Sequence, residues 1–155
     1  MRRNDREITD QKAIEAFISG EAILRVAFYD QGEIYIVPVN YGYLIADGRY
    51  SFYFHGACAG RKFELAGTEP SVGFEIDGRY KLLEGETACR YSAAFQSVTG
   101  TGKLHLVEER EEKRRGLDTV MRQATKKADW DYDDKVLERT AVFRLDVEKM
   151  SCKAK

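Results

Sequence analysis

Hydrophobic residues recur along the chain at two spacings, and the spacing changes at Gly20. Before that glycine, four apolar residues share one face of a helix: Ala13, Ile14, Phe17 and Ile18. Thr9 or Asp10 can cap the first turn of this helix, and Gly20 is a natural residue to end it. The pattern therefore predicts a short amphipathic helix near the N-terminus.

After Gly20 the pattern becomes that of extended strands, interrupted by Asp, Gly and Asn turn signals. The predicted strands are Ala22–Tyr29, Glu33–Ile45, Tyr50–Phe54, Ser71–Ile76, Thr87–Phe95, Ser97–Val107 and Thr140–Val147. Turns are expected at 30–32, 46–49 and 77–78. Pro38 has no N–H group to donate to a neighbouring strand, so it predicts an edge position, a strand start or a bulge.

Two further helices interrupt the strands. Arg61–Ala66 has a helical pattern that Gly67 ends, and the charged run Glu108–Arg115 opens a longer helix. The apolar stripe of this longer helix consists of Leu117, Val120, Met121 and Ala124. The charges are expected on a solvated helix face.

These elements predict a β-rich fold, either all-β or α+β, with six or seven strands and two or three helices. Short hairpin turns require antiparallel strands. An antiparallel sheet of this length is expected to close, or nearly close, into a barrel that protects its edges, with the helices outside. The glycines at 100 and 102 favour a bend in a barrel strand. The 155 residues are predicted to form one domain, 1–155.

Charge and hydropathy narrow the function classes. The net charge of −1 argues against a broad nucleic-acid surface, which needs excess positive charge. No apolar run approaches the roughly 20 residues of a membrane-spanning helix. Arg2 and Arg3 precede no apolar segment of the kind a secretory signal carries. A cytoplasmic protein without nucleic-acid or membrane partners is expected.

The cysteines and histidines give no metal pattern. Cys58, Cys89 and Cys152 form no C-x-x-C pair, and a disulfide scaffold is not expected at this length. His55-x-x-Cys58 could be half of a metal site, but no second pair of ligands has a matching spacing, and the other histidine is His105. No metal is predicted.

The stretch FYFHGACAGRK, Phe52–Lys62, places a small-residue loop and two cations after an aromatic strand. Gly60 permits a ligand to approach the main chain, and backbone amides at a helix start favour an anion. Arg61 can grip two phosphate oxygens, while Lys62 acts as a point charge. The stretch predicts a phosphate cradle; the alternative is a turn with two solvated cations.

A second stretch, PVNYGY at Pro38–Tyr43, lies one hairpin away. It offers the Asn40 amide, two tyrosines and main chain beside the proline, which suits the edge of a planar cofactor. Core packing is the alternative for the tyrosines. His55 is the best acid–base candidate because its unperturbed pKa lies near 6.5, and a structural histidine is the alternative. Because other acid–base groups are scarce, a cofactor is expected to carry any hard chemistry.

The order IVPVNYGY, GRYSFYFHGACAGRK and CRYSAAFQSVTGTGK resembles the flavin-binding split barrels related to pyridoxamine 5'-phosphate oxidase. Within them it is most similar to the Nim-type branch, which includes nitroimidazole-resistance proteins. The resemblance runs from about residue 2 to residue 153. It implies a six-stranded antiparallel split β-barrel with flanking helices, forming a homodimer with FMN in each of two clefts between subunits.

The resemblance also implies roles for particular residues. Arg61 and Lys62 would hold the FMN phosphate, and the ribityl and phosphate path would follow His55, Gly56 and Ala57. The strand that lines the ring edge matches three residues: Val39, Asn40 and Tyr41. Two residues, Ser97 and Val98, match a strand that reaches the flavin from the far side of the cleft.

The function expected from the resemblance is flavin-dependent reduction of a small acceptor, such as a nitroaromatic or a quinone, with electrons from NAD(P)H. His55 is the candidate catalytic residue. FAD in place of FMN, a flavin carrier or redox sensor without turnover, and a haem-binding split barrel are the open alternatives. Oxidation of pyridoxamine phosphate is not expected, because the chain ends VFRLDVEKMSCKAK and lacks the arginine-rich terminus of those oxidases.

Overall fold

A computed structural model describes residues 4–155. The first three residues of the predicted single domain, 1–155, lie outside the described residues. The described part contains eight strands: Glu7–Ile8 (β1), Ile23–Asp30 (β2), Glu33–Asn40 (β3), Gly42–Ala46 (β4), Arg49–Ala57 (β5), Ser71–Leu83 (β6), Ser92–Val107 (β7) and Thr140–Ala154 (β8). Its α-helices are Gln11–Ile18 (α1), Arg61–Ala66 (α2), Arg110–Thr125 (α3) and Asp134–Glu138 (α4).

The strands form one antiparallel sheet in the order β3-β2-β6-β7-β8-β5-β4, and the short β1 pairs with β8. The two ends of this path, β3 and β4, are separated in sequence by Tyr41 alone. The sheet must therefore curl until its ends meet, and β3 does contact β5. No ladder joins the two ends within residues 4–155, which makes the fold a split barrel with flanking helices, as predicted. The strand number is eight rather than six.

Aromatic side chains fill the barrel. The rings of Phe54 and Phe143 stack with centroids 5.0 Å apart, and Phe52 contacts both Tyr41 (5.6 Å) and Phe74 (5.3 Å). These side chains alternate with outward-facing neighbours, because successive residues of a strand point to opposite faces. Burial of this apolar interior is the main stabilising contribution to the sheet.

The first helix agrees with its sequence pattern. Asp10 is the N-cap of α1 and accepts a hydrogen bond from the Lys12 amide at 3.1 Å. Ile14, Phe17 and Ile18 are buried against the barrel. Pro38 lies on the edge strand β3, where its missing N–H costs no ladder bond on the open side.

Several predicted boundaries are wrong. The last strand was expected to end at Val147, but β8 continues to Ala154. The run Glu33–Ile45 is two strands, because the chain leaves the ladder at Tyr41. The turn expected at Asp77-Gly78 is instead a register shift between Gly78 and Lys81, and β6 continues to Leu83. A bulge absorbs the turn-like residues while pairing with β7 is retained. The two extended stretches expected around residues 87–107 are the single strand β7, preceded by a 3-10 turn at Ala88–Arg90.

The predicted bend at the glycines of β7 is confirmed. The pairing of β7 with β8 shifts register between Thr101 and Gly102. A side chain at Gly100 or Gly102 would collide with carbonyl groups of β8, those of Lys149 and Asp146 respectively. The backbones therefore approach too closely at the bend for a larger residue.

None of the helices in residues 4–155 is long and apolar enough to cross a membrane.

Candidate functional site

The candidate phosphate cradle lies where β5 ends and α2 begins. Gly60 is the N-cap of α2 and has a φ of 90°, a conformation that favours glycine. It supplies no side chain to the turn, and its carbonyl accepts the first helical hydrogen bond from Glu64 at 3.1 Å. Arg61 and Lys62 therefore occupy the first two positions of α2, directly after this glycine.

Lys62 lies half-buried across the end of the barrel. Its ammonium nitrogen is 5.1 Å from the ring centroid of Phe143 and 5.7 Å from that of Phe54. Its one hydrogen-bond partner in residues 4–155 is the His55 carbonyl at 3.5 Å, and no carboxylate there pairs with it. Burial lowers the pKa of Lys62. An ammonium in this position retains the capacity to bind an anion.

Gly56 makes the position of Lys62 possible. A Cβ atom at residue 56 would lie 2.9 Å from the Lys62 Nζ and 3.2 Å from its Cε. The glycine in the His55-Gly56-Ala57 stretch therefore provides room for the lysine. The following residue, Ala57, is exposed at the last position of β5.

Arg61 points to a different element. Its Nε donates to Asp30 at 2.8 Å and its Nη2 donates to Glu33 at 3.0 Å. The guanidinium also lies over the ring of Tyr35, 4.8 Å from the centroid. Hydrogen bonds to the two carboxylates raise the pKa of Arg61. The turn between β2 and β3 is thereby tied to α2.

Sequence reasoning did not identify Asp30 and Glu33 as part of this site. They flank the turn at Gln31-Gly32, and in the sequence they have the pattern of ordinary turn residues. One feature of the sequence could have indicated them: the turn of the β2–β3 hairpin carries two acidic residues. Their contact with α2, however, depends on the curl of the sheet.

His55 is exposed near the end of β5, beside Lys62, and pairs with Val142 of β8. Partial desolvation of the imidazole, together with the positive charge of Lys62, lowers the pKa of His55. The ring is therefore predominantly neutral at pH 7, and one ring nitrogen can donate a hydrogen bond while the other accepts one.

Asn40 is exposed at the end of β3, and its amide donates to the Ala22 carbonyl at 3.1 Å. Strand β4 pairs with β5 at Gly42 and Tyr53. Asn40 and His55 each lie two residues from this pair, and β3 contacts β5 across the split. The candidate ring-edge stretch and the candidate cradle thus meet at the split between β3 and β5.

The side chains of Val39 and Tyr41 are part of the core. Tyr41 is 1% exposed, and its hydroxyl donates to the Ile18 carbonyl at 2.6 Å. Burial raises the pKa of this phenol. Val39 is 8% exposed. These two residues can offer a ligand main-chain groups, while their side chains pack inward.

Ser97 and Val98 lie far from the cradle within one chain. Ser97 pairs with Lys153 at one end of β8, whereas His55 pairs with Val142 near its other end. Those two partners are eleven residues apart in sequence, which corresponds to about 35 Å of strand. Val98 is fully buried and Ser97 half-buried. The structure therefore brings together the predicted residues of β3, β5 and α2 and leaves these two apart.

Residues 4–155 contain no group of three or more His, Cys, Asp or Glu side chains that could hold a metal ion. His105 lies elsewhere, on β7, with its Nδ1 2.9 Å from Glu69 and its Nε2 3.5 Å from Asp146.

The split-barrel fold corresponds to a known class of proteins. The model of the pyridoxamine 5'-phosphate oxidase family matches residues 10–154, and the chain belongs to this family. No curated protein matches the chain.

Solved structures agree with this assignment. A candidate 5-nitroimidazole antibiotic resistance protein from Bacteroides thetaiotaomicron is 31% identical with a TM-score of 0.81, over 96% of this chain and 86% of that one. The flavocytochrome Anf3 from Azotobacter vinelandii is 21% identical with a TM-score of 0.80, over 100% and 72%. The FAD and heme binding protein from Mycobacterium smegmatis is 15% identical with a TM-score of 0.77, over 97% and 73%. The last two show similarity of fold alone, whereas the first and the family match confirm the resemblance predicted from the sequence.

Proposed function

We propose that this protein is a homodimeric flavoprotein that binds FMN at the end of β5 and reduces a small acceptor. The observation that carries the proposal is the half-buried Lys62 ammonium, which lies over two aromatic rings and has no carboxylate partner in residues 4–155. A desolvated cation without a counter-charge favours an anion beside it. FMN carries such an anion on an otherwise planar, largely apolar ring system.

The residues present fit this cofactor. Lys62 and Arg61 would hold the phosphate, with Gly56 and Ala57 leaving main chain open beside it. Asn40 would bond the ring edge together with main-chain groups of Val39 and Tyr41. The names of two of these similar structures support a flavin: one is a flavocytochrome, and the other is an FAD and heme binding protein.

A second copy of the chain would complete the site. Ser97 and Val98 are separated from His55 by about 35 Å of strand, which is more than one FMN spans. If β7 contributes to the cleft, the contribution must come from a partner subunit. The register of the sheet thus supports a homodimer with a cofactor between its subunits.

The chemistry that FMN supplies when bound is acceptance of a hydride from NAD(P)H and delivery of electrons to a small acceptor, such as a nitroaromatic or a quinone. The protein contributes binding and orientation. His55 lies beside Lys62, and its neutral imidazole can donate an N–H hydrogen bond to substrate or cofactor.

Competing functions are separated by simple spectroscopy. Bleaching of the yellow colour by NAD(P)H, with recovery when a quinone or nitroaromatic is added, supports an oxidoreductase, whereas bound flavin without turnover indicates a carrier or sensor. The haem alternative requires histidine ligation, which a Soret band would reveal. Since both ring nitrogens of His105 face carboxylates, His55 would be the available ligand.

The direct test is titration of the protein with FMN, followed by flavin fluorescence, in the wild type and in Lys62→Ala. Loss of a charge-assisted phosphate contact is expected to weaken FMN binding roughly tenfold or more. The matched control is Lys12→Ala, which removes an exposed lysine on α1 and should leave the affinity unchanged. Equal affinity in wild type and Lys62→Ala would contradict the assigned cradle.

Thiol alkylation gives a second readout of the same site. Cys58 is exposed in the loop before Arg61, whereas Cys89 is exposed far along the chain in the 3-10 turn before β7. FMN should slow alkylation of Cys58 and leave Cys89 reactive. Unchanged reactivity of Cys58 at saturating FMN would place the flavin elsewhere.

A further inference from the structure

A groove separate from the cradle lies between α1, β4 and α3. Its floor is the edge strand β4, where three consecutive residues line it: Tyr43, Leu44 and Ile45. Successive residues of a strand point to opposite faces, so a groove lined by all three runs along the free edge of the strand. Its volume is about 440 Å³, which is within the range of small-molecule sites.

The groove and the cradle lie at different parts of β5. Ile45 of the groove pairs with Tyr50, whereas the cradle begins at His55. Five residues of strand separate Tyr50 from His55, which corresponds to about 17 Å. A ligand in the groove would therefore bind independently of a ligand in the cradle.

The walls of the groove are held together by hydrogen bonds between α3 and the end of α1. The Gln123 amide of α3 donates to the Ile18 carbonyl at 2.9 Å and to the Glu21 carbonyl at 2.8 Å. Lys126, the C-cap of α3, donates from its Nζ to the Ser19 carbonyl at 2.8 Å. The groove is thus formed before any ligand arrives, and binding does not have to order these elements.

The two helical walls carry opposite charges. Arg122 lies in the last turn of α3, one turn before Lys126, and Glu15 lies on α1. The Arg122 side chain forms no hydrogen bond or ion pair within residues 4–155, so its guanidinium fork is available to a ligand. Glu15 instead accepts a hydrogen bond from the Tyr43 hydroxyl at 3.3 Å. Burial and the charge of Glu15 raise the pKa of Tyr43 to about 12, so this hydroxyl stays protonated.

The helix dipole alone favours a basic residue in the last turn of a helix, and it accounts for the charge of Arg122. It does not account for the apolar floor beside that charge. Ile45 is 40% exposed at the edge of the sheet, where no strand covers it. A free guanidinium next to an uncovered apolar floor complements a ligand that has both an apolar part and an anionic group.

We propose that this groove binds a small organic carboxylate, with the carboxylate group on Arg122 and the apolar body on Leu44 and Ile45. The planar guanidinium matches the two oxygens of a carboxylate, which gives a bidentate contact. The negative charge of Glu15 repels the carboxylate from the α1 wall and thereby sets the orientation of the ligand. This site lies outside the proposed flavin site and does not depend on it.

The test compares phenylacetate with phenylacetamide, an uncharged probe of nearly the same shape. Binding is followed by NMR chemical-shift changes of backbone amides in isotopically labelled protein. We expect phenylacetate to shift resonances of β4 and of the last turn of α3, with a dissociation constant roughly fivefold or more below that of phenylacetamide, because an exposed charge-assisted contact is worth about 1 kcal/mol.

In Arg122→Gln the preference for the charged probe should be lost. The matched control is Arg115→Gln, which removes an exposed arginine earlier on α3, outside the groove, and should retain the preference. Ile45→Glu adds a negative charge to the exposed floor and should prevent binding of phenylacetate. Circular dichroism of the three variants verifies that the fold is retained.

Three results would overturn this inference: no shifts in the groove with phenylacetate, equal affinity for the two probes, or an unchanged preference in Arg122→Gln. Titration with FMN separates the two sites. Arg122→Gln should bind FMN as the wild type does, and a loss of FMN binding in this variant would contradict a separate site. Failure of the wild type to bind FMN would overturn the proposed function and leave the carboxylate groove to be judged by its own probes.

Discussion

The Lys62 ammonium contacts the His55 carbonyl at the end of β5, and its positive charge adds to burial in lowering the pKa of the His55 imidazole. The Lys62 ammonium reaches the His55 carbonyl and lies over Gly56, where a methyl group would collide with it. Its positive charge disfavours a second positive charge on the nearby imidazole. The result is one fixed cation beside one neutral imidazole, which suits binding of an anion next to a hydrogen-bond donor.

The lowered pKa of His55 predicts a pH dependence of stability. In the unfolded chain the histidine pKa lies near 6.5, so the unfolded chain binds a proton more readily than the folded protein does. The contribution of neutral His55 to the free energy of unfolding is therefore present above about pH 6.5 and is lost as the pH falls below that value. In His55→Gln this contribution is absent. Urea unfolding at about pH 7.5 and about pH 5.5 should therefore show a larger loss of stability for the wild type than for the variant. An equal loss in both proteins would be inconsistent with desolvation of His55.

At the scale of elements, local sequence patterns predicted the pieces of the cradle but not their partners. The strand, the glycine loop and α2 follow one another in Phe52–Ala66, so the order of residues alone indicated them. Asp30 and Glu33 lie about thirty residues earlier, and their contact with Arg61 depends on how far the sheet curls. Short-range periodicity carries no information on such a contact.

The same limit applies to the ends of strands. Turn-forming residues at Asp77-Gly78 predicted a hairpin, but pairing with β7 continues past a bulge to Leu83. The short helix α4 was also missed, because Asp134–Glu138 has too few residues to show a helical period. Tertiary pairing decides these boundaries, and a single sequence does not show it.

Packing of α3 on the barrel gives an element-scale prediction. A side chain at Gly42 of β4 would overlap the backbone of Thr119 and Val120 in α3, so one of the two elements would have to shift. Gly42→Ala should cost about 1–3 kcal/mol of the free energy of unfolding, measured by urea denaturation. The control is Gly73→Ala on β6, where the added carbon would have an ordinary contact of 3.7 Å with Ala27. Equal stability of the two variants would show that α3 adjusts without cost.

At the scale of the whole molecule, the curled sheet leaves a split between β3 and β5 and an exposed apolar surface on β3. Ile34 and Ile36 of the edge strand β3 are 66% and 57% exposed, beside the residues that hold Arg61. An apolar edge of this kind is normally covered by a partner. The family resemblance predicted this architecture and the cradle. The separation of Ser97 from His55 became visible only from the register of the strands in the structure.

The central claim is that two copies of the chain bind FMN at cradles built on Lys62. Native mass spectrometry of freshly purified protein, followed by release and identification of the chromophore, tests it most directly. The expected result is a species of twice the 17.7 kDa chain mass that carries two FMN molecules. A colourless chain that remains free of flavin when FMN is added in excess would contradict the claim, and Arg61 and Lys62 would then be surface cations without a cofactor.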